Sequence, residues 1–316
     1  MQTTGFWKKA FRRTLASVPG KRVMLDLGAQ LPVRLKSALT LRFLSILSEE
    51  YKTSSTHIAS NLGIDDRYSC LVPRYKSVEV FGKPQHYIGE RGALFLAQHL
   101  AAYSDCFVDI GAHIGYFTFF VRKRLPSQKP ILFFEPDPDL FRLILDNVAS
   151  NQLPNTLGFQ VAVGDTDGKV IFYRNFTDTS QGTLYADKVN EHELQAIDVE
   201  LNKFSTIVTA HNLSNCLVKV DVENGEEEFL RGVEGAENKI RFLIIELLKQ
   251  AHDKKLVNRI NDMFGFNAFY INDFTLEHSA NGSFTYRDGQ YNWLFCRENP
   301  DELATILAGS CLTIVG

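Results

Sequence analysis

Cysteines are few in this sequence, and none is spaced as a zinc-ligand pair. Five cysteines are scattered over 316 residues, and no two are separated by only two residues, so a structural zinc site is not expected. A sparse, odd-numbered set of thiols is typical of a reducing compartment. The cysteine content therefore predicts a cytoplasmic protein.

A long apolar run and a strong charge excess are also absent. No segment approaches the ~20 consecutive apolar residues that span a bilayer, and the first residues lack the apolar core of a secretory signal. The formal net charge is -3 at pH 7, whereas a dedicated nucleic-acid-binding protein usually has a strong basic excess. These properties predict a globular protein without a nucleic-acid partner.

Residues 1–80 are predicted to form a mostly helical extension to a domain over residues 81–316. Apolar residues recur at helical spacing over Leu31–Ile46, and Glu49–Leu62 is predicted as a further helix. Six basic residues and no acidic residue precede Asp26. We expect this opening segment to be a helix packed on the protein surface; the alternatives are peripheral contact with a membrane and homodimerisation.

From Phe107 onward, short apolar segments alternate with segments of helical periodicity. This alternation predicts an α/β fold with a parallel sheet and crossover helices. A polar stretch over 175–196 is predicted to be a functional loop, and Ser77–Tyr87 is predicted to be extended. The predicted strands are Phe107–Ile110, Ile131–Phe134, Gly158–Val163, Val170–Tyr173, Cys216–Val222, Phe242–Leu247, Phe266–Ile271 and Tyr291–Cys296, and Ile197–Val199 is also predicted to be extended. The predicted helices are Arg91–Tyr103, Tyr116–Arg124, Leu140–Ser150, Leu201–Ala210, Gly225–Gly232 and Asp253–Phe264.

The first motif is FVDIGAHIGYFT, from Phe107 to Thr118. Its strand brings Asp109 to the carboxyl edge, where open parallel sheets bind ligands, and Gly111 and Gly115 allow a close approach of the backbone. An acid at this point can attract a cationic ligand such as S-adenosylmethionine. The spacing lacks the middle glycine of the G-x-G-x-x-G pattern, and the acid disfavours a pyrophosphate.

The second motif, FFEPDPD, places Glu135 at the end of the next predicted strand. A carboxylate there can accept hydrogen bonds from both hydroxyls of a ribose. Pro136 ends the strand, and Pro138 suits the first turn of a helix. Combined with the first motif, this arrangement predicts a nucleoside site.

The third motif, VAVGDTDG, places Asp165 after the third predicted strand. Its carboxylate is a candidate acceptor for the adenine amino group. An Asx turn ahead of a hairpin explains the same residue nearly as well, so both interpretations stay open.

The fourth motif, LVKVDVENGEEEFLRG, interleaves Lys219, Asp221 and Glu223 with valines. Strand alternation directs these three charges to one face. Because charges are costly to bury unless they are paired, we expect them at the active edge of the sheet; a solvated edge strand is the alternative. Two nearby acids are too few to predict a metal site.

Taken in this order, the four motifs resemble those of the FkbM family of methyltransferases, from about Tyr87 to Arg297. FVDIGAHIGYFT is similar to the family's first-strand motif, FEPDP to its ribose-binding turn, and VKVDVENGEEEFLRG to its signature K-I-D-V-E-G-x-E. The segment IGERGALFL, with Glu90, resembles the family's sequence ahead of the first strand. His113 stands where the family often has asparagine, and Asn224 where it usually has glycine.

The resemblance implies a Rossmann-like class I methyltransferase fold: a seven-stranded, mostly parallel sheet with a final antiparallel strand and helices on both faces. It implies S-adenosylmethionine as methyl donor and a hydroxyl of a sugar, polyketide or related metabolite as acceptor. Carried over position by position, it implies a cofactor site, which we extend by Ala112, Pro136 and the Asp165 of the third motif. The predicted set is Asp109, Gly111, Ala112, His113, Gly115, Glu135, Pro136 and Asp165.

The reaction implied is displacement at the sulfonium methyl by a hydroxyl oxygen, which needs a base. Asp221 and Glu223 are the leading candidates and His113 a weaker one. Lys219 orients a carboxylate or lowers the acceptor pKa, unless it only pairs with these acids. Two other functions remain: a non-catalytic nucleoside- or partner-binding protein on the same fold, and a nicotinamide-linked oxidoreductase.

Overall fold

The computed structural model describes residues 57–60, 70–73, 84–122, 124–175, 182–185, 194–248, 255–279 and 291–315. The strands are β1 His57–Ser60, β2 Cys70–Pro73, β3 Cys106–Ile110, β4 Ile131–Phe134, β5 Thr156–Phe159, β6 Val161–Gly164, β7 Gly168–Asn175, β8 Leu194–Lys203, β9 Cys216–Val220, β10 Ile240–Glu246, β11 Asn267–Asn272, β12 Thr275–His278, β13 Asn292–Cys296 and β14 Thr313–Val315. The helices are α1 Pro84–Leu100, α2 Tyr116–Arg122, α3 Pro138–Ser150, α4 Phe204–Ala210, α5 Glu226–Val233, α6 Leu256–Phe264 and α7 Pro300–Ile306.

The largest sheet has nine strands in the order β14-β12-β11-β13-β10-β9-β3-β4-β5. Strands β5, β4, β3, β9 and β10 are parallel to their neighbours in this series, whereas β13 is antiparallel to both β10 and β11. The seven strands from β5 to β11 are thus the predicted class I sheet with its antiparallel last strand. The fold class is confirmed, and β12 and β14 extend the sheet by two strands.

The central strands are apolar because both faces of a parallel sheet are covered. Every residue of β3, β4 and β9 is buried. Helices α4, α5 and α6 pack on the face that carries Val108, Val218 and Leu243. By strand alternation, Asp109 and Lys219 lie on the opposite face, where they are register partners.

The chain changes direction within the sheet at β3. Strands β4 and β5 lie on one side of β3 and β9 and β10 on the other. Such a switch point opens a crevice at the carboxyl ends of the strands. The strands of the first, second and fourth sequence motifs all end at this edge.

A second, three-stranded sheet has the order β6-β8-β7. It corrects three predictions. The strand expected over Gly158–Val163 is divided between β5 and β6, and residues 201–203 belong to β8, so α4 begins only at Phe204. The loop expected over 175–196 is shorter, because Asn175 belongs to β7 and residues 194–196 belong to β8. The small sheet buries its own apolar cluster around Phe172 and Leu201. That separate core explains why the chain leaves the main sheet after Phe159.

The chain divides into two compact units, Ile88–Leu145 with Leu153–Gly316, and Met1–Tyr87 with Asp146–Gln152. In the smaller unit, β1 and β2 form an antiparallel pair. Strand β1 shows that the helix predicted over Glu49–Leu62 is wrong at its C-terminal end.

Two further expectations concern the same part of the chain. The helix predicted over Leu31–Ile46 and the basic opening segment lie outside the described residues. Helix α1 begins at Pro84, so the extended structure predicted for Ser77–Tyr87 is wrong at its end, and proline is a favourable first helical residue. In the described part of the chain, no helix has the length and apolar character needed to cross a bilayer.

Candidate active site

The loop after β3 fits tightly against the end of β9. Gly111 has φ +73°, and a Cβ at this position would lie 1.8 Å from the backbone oxygen of Asp221. The N–H groups of Gly111 and Ala112 both donate to the Phe134 carbonyl at the end of β4, at 3.0 and 3.1 Å. Only glycine fits this position, and the loop is fixed between the two neighbouring strand ends.

Asp109 is turned towards the start of α2. Its Oδ2 accepts hydrogen bonds from the Thr118 N–H at 3.0 Å and the Thr118 hydroxyl at 2.6 Å. Burial raises the pKa of Asp109 to about 6, although Thr118 and the nearby Lys219 act in the opposite direction. The observed contacts make Asp109 an anchor of the loop; its contact with the cofactor stays a prediction.

Glu135 lies at the carboxyl end of β4, and backbone donors fix both of its oxygens. Oε2 accepts from the His113 N–H at 2.7 Å and Oε1 from the Asp137 N–H at 2.9 Å. Gly115 then turns the chain towards α2 with φ +81°. Burial raises the pKa of Glu135 to about 8 despite these two donors.

Lys219 and Asp221 form a buried ion pair at the end of β9. Lys219 Nζ is 3.0 Å from Asp221 Oδ2 and 4.8 Å from the centre of the Phe117 ring. Burial opposes the charged form of Lys219, but Asp221 and Glu90 outweigh that effect and raise its pKa. Burial likewise opposes the ionisation of Asp221, but Lys219 and a hydrogen bond from Glu246 hold its pKa below the ordinary value.

Glu246, at the end of β10, completes a carboxyl cluster with Asp221 and Glu223. One oxygen of each residue lies within 4.8 Å of the other two. Burial and the charge of Asp221 raise the pKa of Glu246 well above its ordinary value, which favours the protonated form that can donate a hydrogen bond to Asp221. Oxygen ligands of this kind suit a divalent cation, but Lys219 already places a positive charge beside Asp221.

The strand predicted over Cys216–Val222 ends at Val220, so Asp221 and Glu223 follow the strand instead of alternating along it. Asp221 remains beside Lys219 because its N–H donates to the Ile110 carbonyl at 3.0 Å. The Glu223 carbonyl accepts from the Thr183 hydroxyl at 2.8 Å. The structure thus brings these residues to the active edge, as the fourth motif indicated, but by a turn.

The two departures from the family pattern both occupy left-handed backbone. His113 has φ 53° and Asn224 has φ 71°. Asparagine visits this region more readily than most residues because its short polar side chain can bond locally. Asparagine at position 224 is therefore compatible with this left-handed turn.

Asp165 has a contact that the sequence did not indicate. Its Oδ2 pairs with Arg231 of α5 at 2.9 Å, at a partly exposed position. The carboxylate is therefore already engaged by a guanidinium. Its assignment to the adenine amino group stays a prediction, and Pro136 likewise has no described contact that bears on its predicted role.

Sequence reasoning missed several polar residues that the fold brings to this edge. Glu246 had a signal, because it is the first charged residue after the apolar run FLII. Thr118 had one too, as a hydroxyl in the first turn of a helix that follows an acid. Arg174 had none: it reaches Asp137, 37 residues away in sequence, from a different sheet.

Seven strands in this order, with a glycine loop after the first strand and a carboxylate at the end of the second, define a class I S-adenosylmethionine-dependent methyltransferase. The family model described as "Methyltransferase FkbM domain" matches residues 109–274. The chain therefore belongs to the FkbM methyltransferase family, and S-adenosylmethionine is its methyl donor. The resemblance inferred from the four motifs is confirmed, which leaves the oxidoreductase alternative without support.

The sequence relatives are 27–28% identical to this chain over the aligned regions. Methyltransferase 1 of Beauveria bassiana is 28% identical over 179 residues, which cover 50% of this chain and 71% of that protein. The hexuronic acid methyltransferase AglP of Haloferax volcanii is 27% identical over 174 residues, covering 54% and 68%. The solved structure of an FkbM methyltransferase from Methylobacillus flagellatus has a TM-score of 0.41 and 18% identity; the match covers 61% of this chain and 43% of that one.

Proposed function

We propose that this chain transfers the methyl group of S-adenosylmethionine to a neutral hydroxyl of a sugar, polyketide or related small molecule. The observation that carries the proposal is the carboxyl cluster of Asp221, Glu223 and Glu246, whose oxygens lie within 4.8 Å of one another. A neutral hydroxyl must lose a proton as it attacks, and a positioned carboxylate is a suitable acceptor.

The charges of the cluster favour a neutral acceptor over an anionic one. Asp221 is ionised, because its pKa is held below the ordinary value, and Glu223 adds a second carboxylate. An acceptor carboxylate placed here would be repelled, and it would not need a base. Lys219 holds Asp221 at 3.0 Å, so its role in this proposal is to orient the base.

The residues at the ends of β3 and β4 fit the methyl donor. Backbone N–H groups fix both Glu135 oxygens, each of which keeps a lone pair for a ribose hydroxyl. Gly111 and His113 give the loop the backbone that this position of Glu135 requires. The bound donor supplies a methyl group activated by its sulfonium, and in our proposal the chain contributes orientation, exclusion of water and a proton acceptor.

A sugar acceptor has support from one relative. AglP is a hexuronic acid methyltransferase, and it matches 54% of this chain. Because a hexuronic acid carries a carboxyl group as well as hydroxyls, this relative supports the sugar class of the acceptor, and the choice of a hydroxyl rests on the carboxyl cluster alone. We also propose that residues 81–316 form the methyltransferase domain and 1–80 an extension, in a cytoplasmic protein. Three buried cysteines and the exposed Cys311 are free thiols, in keeping with a reducing compartment. Homodimerisation and peripheral membrane contact remain candidate roles of the extension.

The test supplies methyl-labelled S-adenosylmethionine and fractionated cell extract to the purified protein and follows the label by mass spectrometry. We expect a labelled ether, which survives mild alkali. A methyl ester would release labelled methanol and would contradict the hydroxyl acceptor. Transfer to no fraction, with S-adenosylhomocysteine still bound, would favour the non-catalytic alternative.

A variant separates the base from the cofactor site. Asp221→Asn keeps the size of the side chain but removes the ionised carboxylate. We expect it to bind S-adenosylhomocysteine and to lose most methyl transfer, roughly 100-fold or more for a lost base. Unchanged transfer would remove Asp221 from its proposed role.

A further inference from the structure

We propose that Arg174 is a positioning residue for the cofactor: it fixes Asp137, which in turn fixes the Glu135 carboxylate. This inference rests on the proposed function, because it takes Glu135 as the residue that binds the ribose. Arg174 lies on β7 of the small sheet, outside every motif that indicated the active site.

Arg174 forms a bidentate ion pair with Asp137 through two nitrogens. Nε is 2.7 Å from Asp137 Oδ2 and Nη2 is 3.0 Å from Oδ1, and Nη2 also bonds Asp139. The side chains of Arg174 and Asp137 are only 11% and 8% exposed. A two-pronged pair between largely buried groups fixes both direction and distance, which a single surface contact does not.

Asp137 links Arg174 to Glu135 through hydrogen bonds of its side chain and its backbone N–H. Its Oδ1 accepts from the N–H groups of Asp139 and Leu140, at 2.8 and 3.2 Å, and so caps the start of α3. Its own N–H donates to Glu135 Oε1 at 2.9 Å. A shift of Asp137 therefore removes one of the two backbone donors that orient the ribose-binding carboxylate.

The charges of Arg174 and Asp137 also affect Glu135. The carboxylate of Asp137 is close enough to Glu135 to contribute to its raised pKa. Arg174 neutralises Asp137 at this point, so that two carboxylates can lie near each other at the carboxyl end of β4. Without the guanidinium, Asp137 would be a largely buried charge without its cation, and it would move towards solvent.

The end of β7 is also linked, through Thr183, to the segment that contains Glu223. Tyr173 and Thr183 exchange backbone hydrogen bonds at 2.8 and 3.1 Å, and the Thr183 hydroxyl donates to the Glu223 carbonyl at 2.8 Å. Arg174 therefore comes from an element that is itself fixed against the active edge. This attachment allows the small sheet to hold the ribose-binding turn in place.

The experiment measures S-adenosylhomocysteine binding by calorimetry on the full chain. Arg174→Met removes the charge but keeps the length of the side chain, and we expect its Kd to rise about tenfold, as for loss of one charged hydrogen-bonding partner. Arg174→Lys keeps the charge but not the two-pronged geometry, so its Kd should lie between those of wild type and Arg174→Met. Lys169→Met is the matched control, because Lys169 lies on the same strand in an exposed pair with Glu200, and its Kd should not change.

A second readout separates positioning from a general loss of structure. Once an acceptor is known, Arg174→Met should raise KM for S-adenosylmethionine and leave kcat within about twofold at saturating cofactor. A thermal melt verifies that each variant is folded at the assay temperature. If Arg174→Met is not, the binding of Arg174→Lys decides, and wild-type affinity in that variant overturns the proposal.

Failure of this inference differs from failure of the proposed function. If wild type binds and Glu135→Gln binds poorly, but Arg174→Met binds like wild type, only the role of Arg174 is overturned. If wild type does not bind S-adenosylhomocysteine, the proposed function itself fails. If Glu135→Gln binds like wild type, the ribose assignment fails and the role of Arg174 fails with it.

Discussion

Asp109 and Lys219 face each other across the parallel strands β3 and β9, and each is only 2% exposed. They are the charged residues of two otherwise apolar strands. Lys219 also bonds Asp221 at 3.0 Å and lies over the Phe117 ring. One buried cation thus compensates Asp109 on β3 and Asp221 just after β9, beneath the edge where the glycine loop and the carboxyl cluster meet.

Lys219→Met should therefore destabilise the protein and stop transfer. Removal of one partner from a buried charge pair costs about 3–5 kcal/mol, because the remaining charge is left uncompensated. Urea unfolding of the variant and the wild type checks the free energy. A loss below about 1 kcal/mol, the range of exposed pairs, would contradict the compensating role. Arg259→Met is the control, because Arg259 forms a partly exposed pair with Glu227.

The sequence predicts the main sheet well because its strands are buried runs whose apolar character does not depend on their neighbours. Ile131–Phe134 has the same bounds in the structure. The small sheet was predicted only in part, as Val170–Tyr173 within β7 and Ile197–Val199 within β8. Most residues of β8 are half-buried or exposed, so its full length has little apolar signal. β8 forms only by pairing with β6 and β7.

The residues of the candidate site likewise fall into those that the sequence predicts and those that it does not. Asp109 and Glu135 could be predicted because Asp109 is the charged residue next to the end of an apolar strand and Glu135 directly follows one. The pairing of Arg174 with Asp137 depends on how two sheets are placed in space, and no local pattern encodes it. The raised pKa of Glu246 is likewise a property of its surroundings, because Asp221 comes from a different strand end.

Gly111→Ala should disrupt the active edge. The added Cβ would lie 1.8 Å from the Asp221 backbone oxygen at φ +73°, so β3 and β9 must move apart. Gly309→Ala is the matched control: Gly309 has φ +77° and no atom within 4 Å of the added carbon. The control should cost about 1 kcal/mol from backbone strain alone, and Gly111→Ala clearly more, together with loss of S-adenosylhomocysteine binding. Equal losses of unfolding free energy in the two variants would show that the close approach is not a constraint.

S-adenosylhomocysteine binding should strengthen as pH rises through the pKa of Glu135. Burial raises that pKa to about 8, so below pH 8 most of the free protein carries a protonated Glu135, which cannot accept hydrogen bonds from two hydroxyls with both oxygens. Binding favours the carboxylate, so Kd should fall from pH 6 to about pH 8, by up to about tenfold per pH unit, and then level off. Glu135→Gln should bind weakly with no such slope. A wild-type Kd that is constant across this range would contradict either the raised pKa or the ribose contact.

Glu246→Gln should change neither the unfolding free energy nor methyl transfer by much, although Glu246 lies in the carboxyl cluster. Burial and Asp221 raise the pKa of Glu246 well above its ordinary value, which favours a neutral side chain that donates a hydrogen bond to Asp221. Glutamine is also neutral, has nearly the same shape and can donate the same bond, so we expect an unfolding free energy within about 1 kcal/mol of wild type. Glu246→Ala, the companion variant, removes that donor, so the pKa of Asp221 should rise and transfer should fall at low pH. A divalent cation held by Asp221, Glu223 and Glu246 gives the opposite pattern, because glutamine is a poor substitute for a carboxylate ligand: Glu246→Gln would lose transfer, and a chelator would inactivate the wild type.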